Sequence, residues 1–268
     1  SLDAKYAVKT EVITSHNVAA RLEGSTHPDE TVIYSAHWDH IGVGEPDARG
    51  DRIFNGALDN ASGTASLIEL ARGFAKAPRP QRSVVFLAVT AEEKGLLGSE
   101  YYATHPLYPL EKTVAMINMD GMAPFGPSRD FGIYGAARFE LLDQLKDVAK
   151  GWDIRYTPDP KPEAGLFFRS DHFPFAKRGV PALSWSAGQD WVDGGVAAGK
   201  KASEDYTAKR YHQQGDEWQP DWVFAGAARD LEVLYTLGNQ LANSRSWPNW
   251  SKDEAFRAVR DASADQRR

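Results

Sequence analysis

Ser83 to Thr90 reads Ser-Val-Val-Phe-Leu-Ala-Val-Thr, a near-continuous apolar run. Such a run suits a central strand covered on both faces. It ends just before a pair of acids, Glu92 and Glu93. Two other segments share this form. Thr31 to Ala36 reads as a buried strand running into His37, and Thr113 to Met119 as a strand ending at Asp120. Phe131–Tyr134 and residues 181–186 add further strands. Helical spacing of apolar residues predicts helices over 61–76, 96–105 and 138–150, with a last long helix over 221–243. Strands alternating with helices imply an α/β fold: a three-layer arrangement with a mixed, mostly parallel sheet flanked by helices. No repeat or low-complexity linker divides the chain, so residues 1–268 read as one domain.

The remaining segments carry weaker signals. Residues 7–15 alternate like a strand, His16-Asn17 suits a turn, and Val18 to Leu22 reads as the partner strand of an early hairpin. Residues 42–58 form a Gly-, Pro- and Asp-rich loop. Residues 187–205 are Gly-rich and lie between a strand and the segment around His212, which predicts a mobile loop over a pocket. Residues 251–268 are polar and charged, with an end expected to fray.

Composition excludes several functions. Charged residues make up 25% of the chain and the net charge is −6, so no basic field is present to hold a nucleic acid. No cysteine occurs, which removes disulfides, thiolate-bound zinc and thiol nucleophiles. No apolar run approaches the roughly 18 residues of a membrane span. The chain starts at Ser1 rather than Met, with no leader-like stretch, and its N-terminus reads as processed or cut.

In open α/β sheets, ligands sit beyond the carboxyl ends of the strands. His37-Trp38-Asp39, Glu92-Glu93 and Asp120 all fall there. Asp39 could take the proton of His37 and fix its tautomer. Adjacent carboxylates raise one another's pKa unless a cation intervenes; with a metal, one Glu can ligate while the other stays free as a base. Asp59 opens a helix among small residues, and His212 sits in a polar loop before the last helix. Each piece alone has an ordinary structural explanation: a capped loop, a charge at a helix dipole, a solvated turn.

Together, in this order, the pieces resemble the M28 family of metallopeptidases. The matching elements are His37-x-Asp39, Asp59-Asn60-x-x-Gly63, Glu92-Glu93-x-Gly95-Leu96-x-Gly98-Ser99, Asp120, Ser170-Asp171-His172 and Tyr211-His212. The resemblance implies two zinc ions per chain: His37 and Asp120 on one, Glu93 and His212 on the other, Asp59 bridging both. It implies Glu92 as general base, Asp39 as the residue that orients His37, and Tyr211 as a group that polarises the scissile carbonyl. Arg169 would contact substrate. A cis peptide between Asp59 and Asn60 is implied too. His40 and the Asp171-His172 pair are expected to brace a loop and a short helix. The sequons at Asn60 and Asn249 read as chance.

The activity implied is removal of N-terminal residues from peptides with a free α-amine. Related alternatives are a glutaminyl cyclase, which is similar but uses a single zinc, and a carboxypeptidase of the same family. A non-catalytic binding ectodomain would be expected to lose ligands. The segment Asp120 to Asp130 and residues 169–176 look like the exported bacterial aminopeptidase branch, which implies a periplasmic or secreted protein. The oligomeric state and side-chain preference are not legible.

Overall fold

The computed structural model describes residues 3–267. Its centre is a seven-stranded sheet in the order β1-β5-β2-β6-β9-β7-β8. These strands are β1 Val18–Leu22, β2 His27–His37, β5 Arg82–Val89, β6 Thr113–Met119, β7 Asp130–Ile133, β8 Arg155–Tyr156 and β9 Ala182–Ala187. The middle strands β5, β2, β6 and β9 run parallel. β1 pairs antiparallel with β5, and β7 antiparallel with β9, so the sheet is mixed. A two-stranded ribbon, β3 (Gly42–Val43) and β4 (Ile53–Phe54), lies within the Gly-rich loop.

The apolar runs become the buried strands for a direct reason: β2, β5 and β6 are covered on both faces. Val32, Ile33, Val84, Val85, Met116 and Ile117 are all fully buried. The helices α1 (Ser62–Lys76), α3 (Glu140–Ala149) and α6 (Ala225–Asn243) pack together as one group against the sheet. Tyr34 on β2 joins this group, with its ring beside Phe74 and its hydroxyl donating to the Leu234 carbonyl at 2.7 Å. A second group, α2 (Leu97–Thr104) and α4 (His172–Ala176), packs against β6 and β9.

Two expectations from the sequence are corrected. Residues 7–15 form no strand; they are exposed and irregular, and β1 pairs with β5 instead. An alternating pattern fits a half-buried strand but names no partner, and the free edge of β5 accepts one strand only. Residues 187–205 are largely helical, because α5 spans Gly195–Lys209. In the C-terminal stretch, α7 (Arg257–Asp261) is pinned by Arg260, whose buried guanidinium donates to the carbonyls of Thr113 and Val114; the expected frayed end at residue 268 lies outside the described residues.

Candidate metal centre

β5, β2 and β6 are neighbours and parallel, so their carboxyl ends open on one side of the sheet. β2 ends on His37. β6 ends at Met119, one residue before Asp120. β5 ends at Val89, and a short 3₁₀ turn, Glu92–Lys94, follows it. An irregular turn, Ala57–Ala61, carries Asp59 to the same place, and the loop after α5 brings in His212.

The five residues converge. Nε2 of His37 lies 3.1 Å from Oδ1 of Asp59 and 3.3 Å from Oδ1 of Asp120. Nε2 of His212 lies 3.3 Å from Oδ2 of Asp59 and 3.0 Å from Oε2 of Glu93. Asp59 therefore offers one oxygen to each half of the site. Donor atoms of His37, Asp59 and Asp120 all lie within 4.8 Å of one another, as do those of His37, Glu92 and Glu93.

Local sequence explains the turn that holds Asp59. The Asp59–Asn60 peptide bond is cis. The buried Asn60 side chain donates to the Met119 carbonyl at 2.9 Å and accepts the amides of Gly63 and Gly121 at 3.0 Å each. It thus ties the turn to the end of β6, and its burial closes the first sequon to glycosylation. A Cβ at position 63 would collide with Asn60 Oδ1 and the Met119 carbonyl, which accounts for glycine there. His212 has a left-handed backbone (φ 55°), a conformation histidine accepts more readily than most residues.

The electrostatics follow from acids crowded around two imidazoles. Burial works against protonating His37, yet the carboxylates of Asp120 and Asp59 outweigh it and push the imidazole up to about 12. Burial, together with the charges of Asp120 and Asp171, pushes Glu92 up to about 9. Burial would raise Asp59, but the two histidines hold it well below the usual carboxylate range. Carboxylates and imidazoles without thiols are the donor chemistry of zinc, and clustered acids that cannot ionise together are relieved by divalent cations. The donor groups present, His37 with Asp59 and Asp120 and His40 with Asp59 and Glu93 among them, suit such a cation.

Asp39 does not orient His37 in the expected way. Nδ1 of His37 donates to the main-chain oxygen of Asp39 at 2.9 Å. The Asp39 carboxylate faces the amides of Ala91 and Glu92. The backbone turn after β2 brings the carbonyl, and not the side chain, beneath the ring. Either acceptor leaves Nε2 free as an electron-pair donor.

The centre opens into a cavity of about 730 Å³ whose walls include Glu92, Phe168, Arg169, Phe173, Trp191 and Tyr211. Tyr211 stacks on His212 with ring centroids 3.9 Å apart. Ser203 and Tyr206 of α5 also line the cavity, so the expected covering segment does border the pocket, as a helix.

Other residues at the centre were named from the sequence, but without a metal-site role. Ser170 donates to Oδ2 of Asp120 at 2.6 Å and accepts from Asn118. Nδ1 of His40 stands 2.6 Å from Oε1 of Glu93, though neither atom makes an aligned hydrogen bond. Its nearness to the His37-x-Asp39 element was the available signal. Asp171, just before α4, and His172, its first residue, are fully buried, and neither nitrogen of His172 has a hydrogen-bond partner among the described residues.

Residues 17–235 match the model of Peptidase family M28. Aminopeptidase NAALADL1 of Mus musculus is 32% identical over 181 residues, which is 59% of this chain and 22% of the relative. A probable zinc metalloprotease of Pyrenophora teres f. teres is 40% identical over 103 residues, 38% of this chain and 22% of the relative. The chain thus spans less than a quarter of the length of these curated relatives. An aminopeptidase from Aneurinibacillus sp. strain AM-1 superposes with a TM-score of 0.61 at 21% identity, covering 85% of this chain and 48% of that one. Bacterial glutaminyl cyclases share the same fold.

Proposed function

Because the chain belongs to peptidase family M28, we propose that it is a dinuclear zinc aminopeptidase acting as one catalytic unit on peptides with a free N-terminus. The observation that carries this reading is the division of Asp59: Oδ1 faces His37 and Oδ2 faces His212. With Asp120 on one side and Glu93 on the other, each half of the site has a private imidazole, a private carboxylate and a share of the bridge. Bound zinc would supply Lewis acidity to the scissile carbonyl and make water nucleophilic near neutral pH.

The chain's own residues do the rest. Glu92 lines the cavity beside Glu93 but is not needed to complete either ligand pair. Its carboxylate takes a proton from the attacking water and returns it to the departing amine nitrogen, so that water adds across the C–N bond. The Tyr211 hydroxyl donates to the carbonyl oxygen as negative charge develops there. The acidic rim draws the positively charged α-amine. Arg169 contacts the part of the peptide that lies across Tyr211.

Two neighbouring readings make different demands. A cyclase would need one zinc, whereas an intact His37 beside Asp59 argues for two. A carboxypeptidase would need a cation for the C-terminal carboxylate, and Arg169, which lines the cavity, could supply it. Export from the cytoplasm rests on the resemblance of the Asp120–Asp130 segment. No described helix is long and apolar enough to cross a membrane.

Metal counting tests the proposal. Chelator-stripped protein should be inactive on peptides, and activity should return as zinc approaches two per chain. Full peptide hydrolysis at one zinc per chain would count against the dinuclear site.

A further inference from the structure

We propose that Asp216 is a positioning residue that locks the bridging Asp59 and the His212 loop in mutual register, and thereby sets how firmly the Glu93–His212 side holds its cation. The inference rests on the dinuclear reading above.

Asp216 has no exposed surface. Its Oδ1 accepts the amide of Leu58 at 3.0 Å, and its Oδ2 accepts the amide of Asp59 at 2.9 Å. Oδ2 also accepts the hydroxyl of Tyr206, on α5, at 3.2 Å. The main-chain oxygen of Asp216 accepts the amide of Ala57 at 2.9 Å, and its own amide donates to Gln213 at 3.1 Å. One residue thus joins three segments: the Asp59 turn, the α5 helix and the loop that carries His212.

His212 is the ligand that most needs such a tie. Its side chain is 37% exposed, against 1% for His37. A ligand on an exposed loop loses conformational freedom each time a cation binds, unless the loop is already held. The other side-chain ties of this loop, Gln214 to the Glu45 carbonyl, Gln213 to the Ala208 carbonyl and Arg49 to Glu217, are exposed. Asp216 is the buried one. It also places a second carboxylate behind Asp59. Burying a charge beside a like charge is costly unless donors satisfy it; here two amides and a hydroxyl do so, and the added negative potential favours a cation.

The test uses zinc-loaded wild type, Asp216→Asn and Tyr206→Phe. Zinc per chain is followed as a chelator is titrated, and the thermal midpoint of the stripped proteins is recorded. Asparagine keeps the size, but it turns an amino group toward backbone donors and removes the charge. Asp216→Asn should release one zinc at about 10- to 100-fold lower chelator than wild type, the loss typical when a residue supporting a ligand is changed. The second zinc should be affected less, because His37 and Asp120 stay in place. Tyr206→Phe should fall between. A merely structural Asp216 would lower the midpoint of stripped protein while leaving zinc retention unchanged, and that result overturns the proposal. If Asp216→Asn does not fold, Tyr206→Phe decides, and wild-type retention in it overturns the proposal. A wild-type chain that holds fewer than two zincs defeats the dinuclear reading itself, and the inference with it.

Discussion

Asp59 presents Oδ2 to Nε2 of His212 at 3.3 Å and keeps Oδ1 for the opposite side of the site. A residue placed this way is shared, so its loss should be felt on both sides. Asp59→Asn retains one acceptor oxygen and puts an amino group where the other stood. Zinc content should fall from two per chain to one or fewer, measured by elemental analysis after dialysis. Two retained zincs would remove Asp59 from the bridging position.

Glu92 makes the opposite prediction. Glu92→Gln leaves all five proposed ligand residues intact, so zinc content should be unchanged. Turnover of a peptide substrate should fall by about 100- to 10,000-fold, the usual contribution of a positioned acid–base group. Steady-state kinetics on matched, metal-counted samples checks this. A variant with wild-type turnover would exclude Glu92 as the base.

The buried His172 governs a pH effect on stability. Burial lowers it from about 6.5 to about 3 in the folded protein. The unfolded chain therefore binds a proton below pH 6.5 that the folded chain refuses until about pH 3. Its contribution to stability is whole above pH 6.5 and is lost as pH falls toward 3, by about 1.4 kcal/mol per pH unit at most. Asp171, raised by burial to about 7, works in the opposite direction, but it is present in wild type and variant alike. Stripped His172→Leu should lose less stability than stripped wild type between pH 6.5 and 4 in urea titrations. Parallel acid branches would show that the imidazole is not kept neutral.

Arg82 offers a test of the scaffold. It is fully buried, pairs with Glu30 at 2.6 Å, and donates to the carbonyls of Leu241 and Ser246 at 2.8 and 2.9 Å. It thus ties the start of β5 to the end of α6. Arg82→Met should cost about 3 kcal/mol in denaturant unfolding, because two carbonyls lose their donor. Glu30 keeps Arg245 as a partner when Arg82 is lost, so the cost falls mainly on the two carbonyls. A loss below about 1 kcal/mol for Arg82→Met would contradict this.

The strands that carry the site were legible because their chemistry is local. Val84 to Val89 is apolar throughout, and the acids at 92 and 93 mark where it leaves the core. Asp59 and His212 were legible only through the ordered motifs, since their contacts join segments distant in sequence. Three things stayed hidden for physical reasons. Residues 7–15 have a strand-like pattern, but the choice between them and Val18–Leu22 depends on which one meets the β5 edge. The acceptor for His37 Nδ1 is a backbone carbonyl, and every residue type has one. Asp216 reads as another acid in a polar loop, and its role depends on amides that the fold carries to it.

Hydrolysis at a free N-terminus can be measured with a panel of aminoacyl nitroanilides against the same compounds with the amine acetylated, on zinc-loaded enzyme. The free-amine substrates should be cleaved, and the acetylated ones little or not at all. Equal cleavage of both would show that the enzyme does not require a free α-amine.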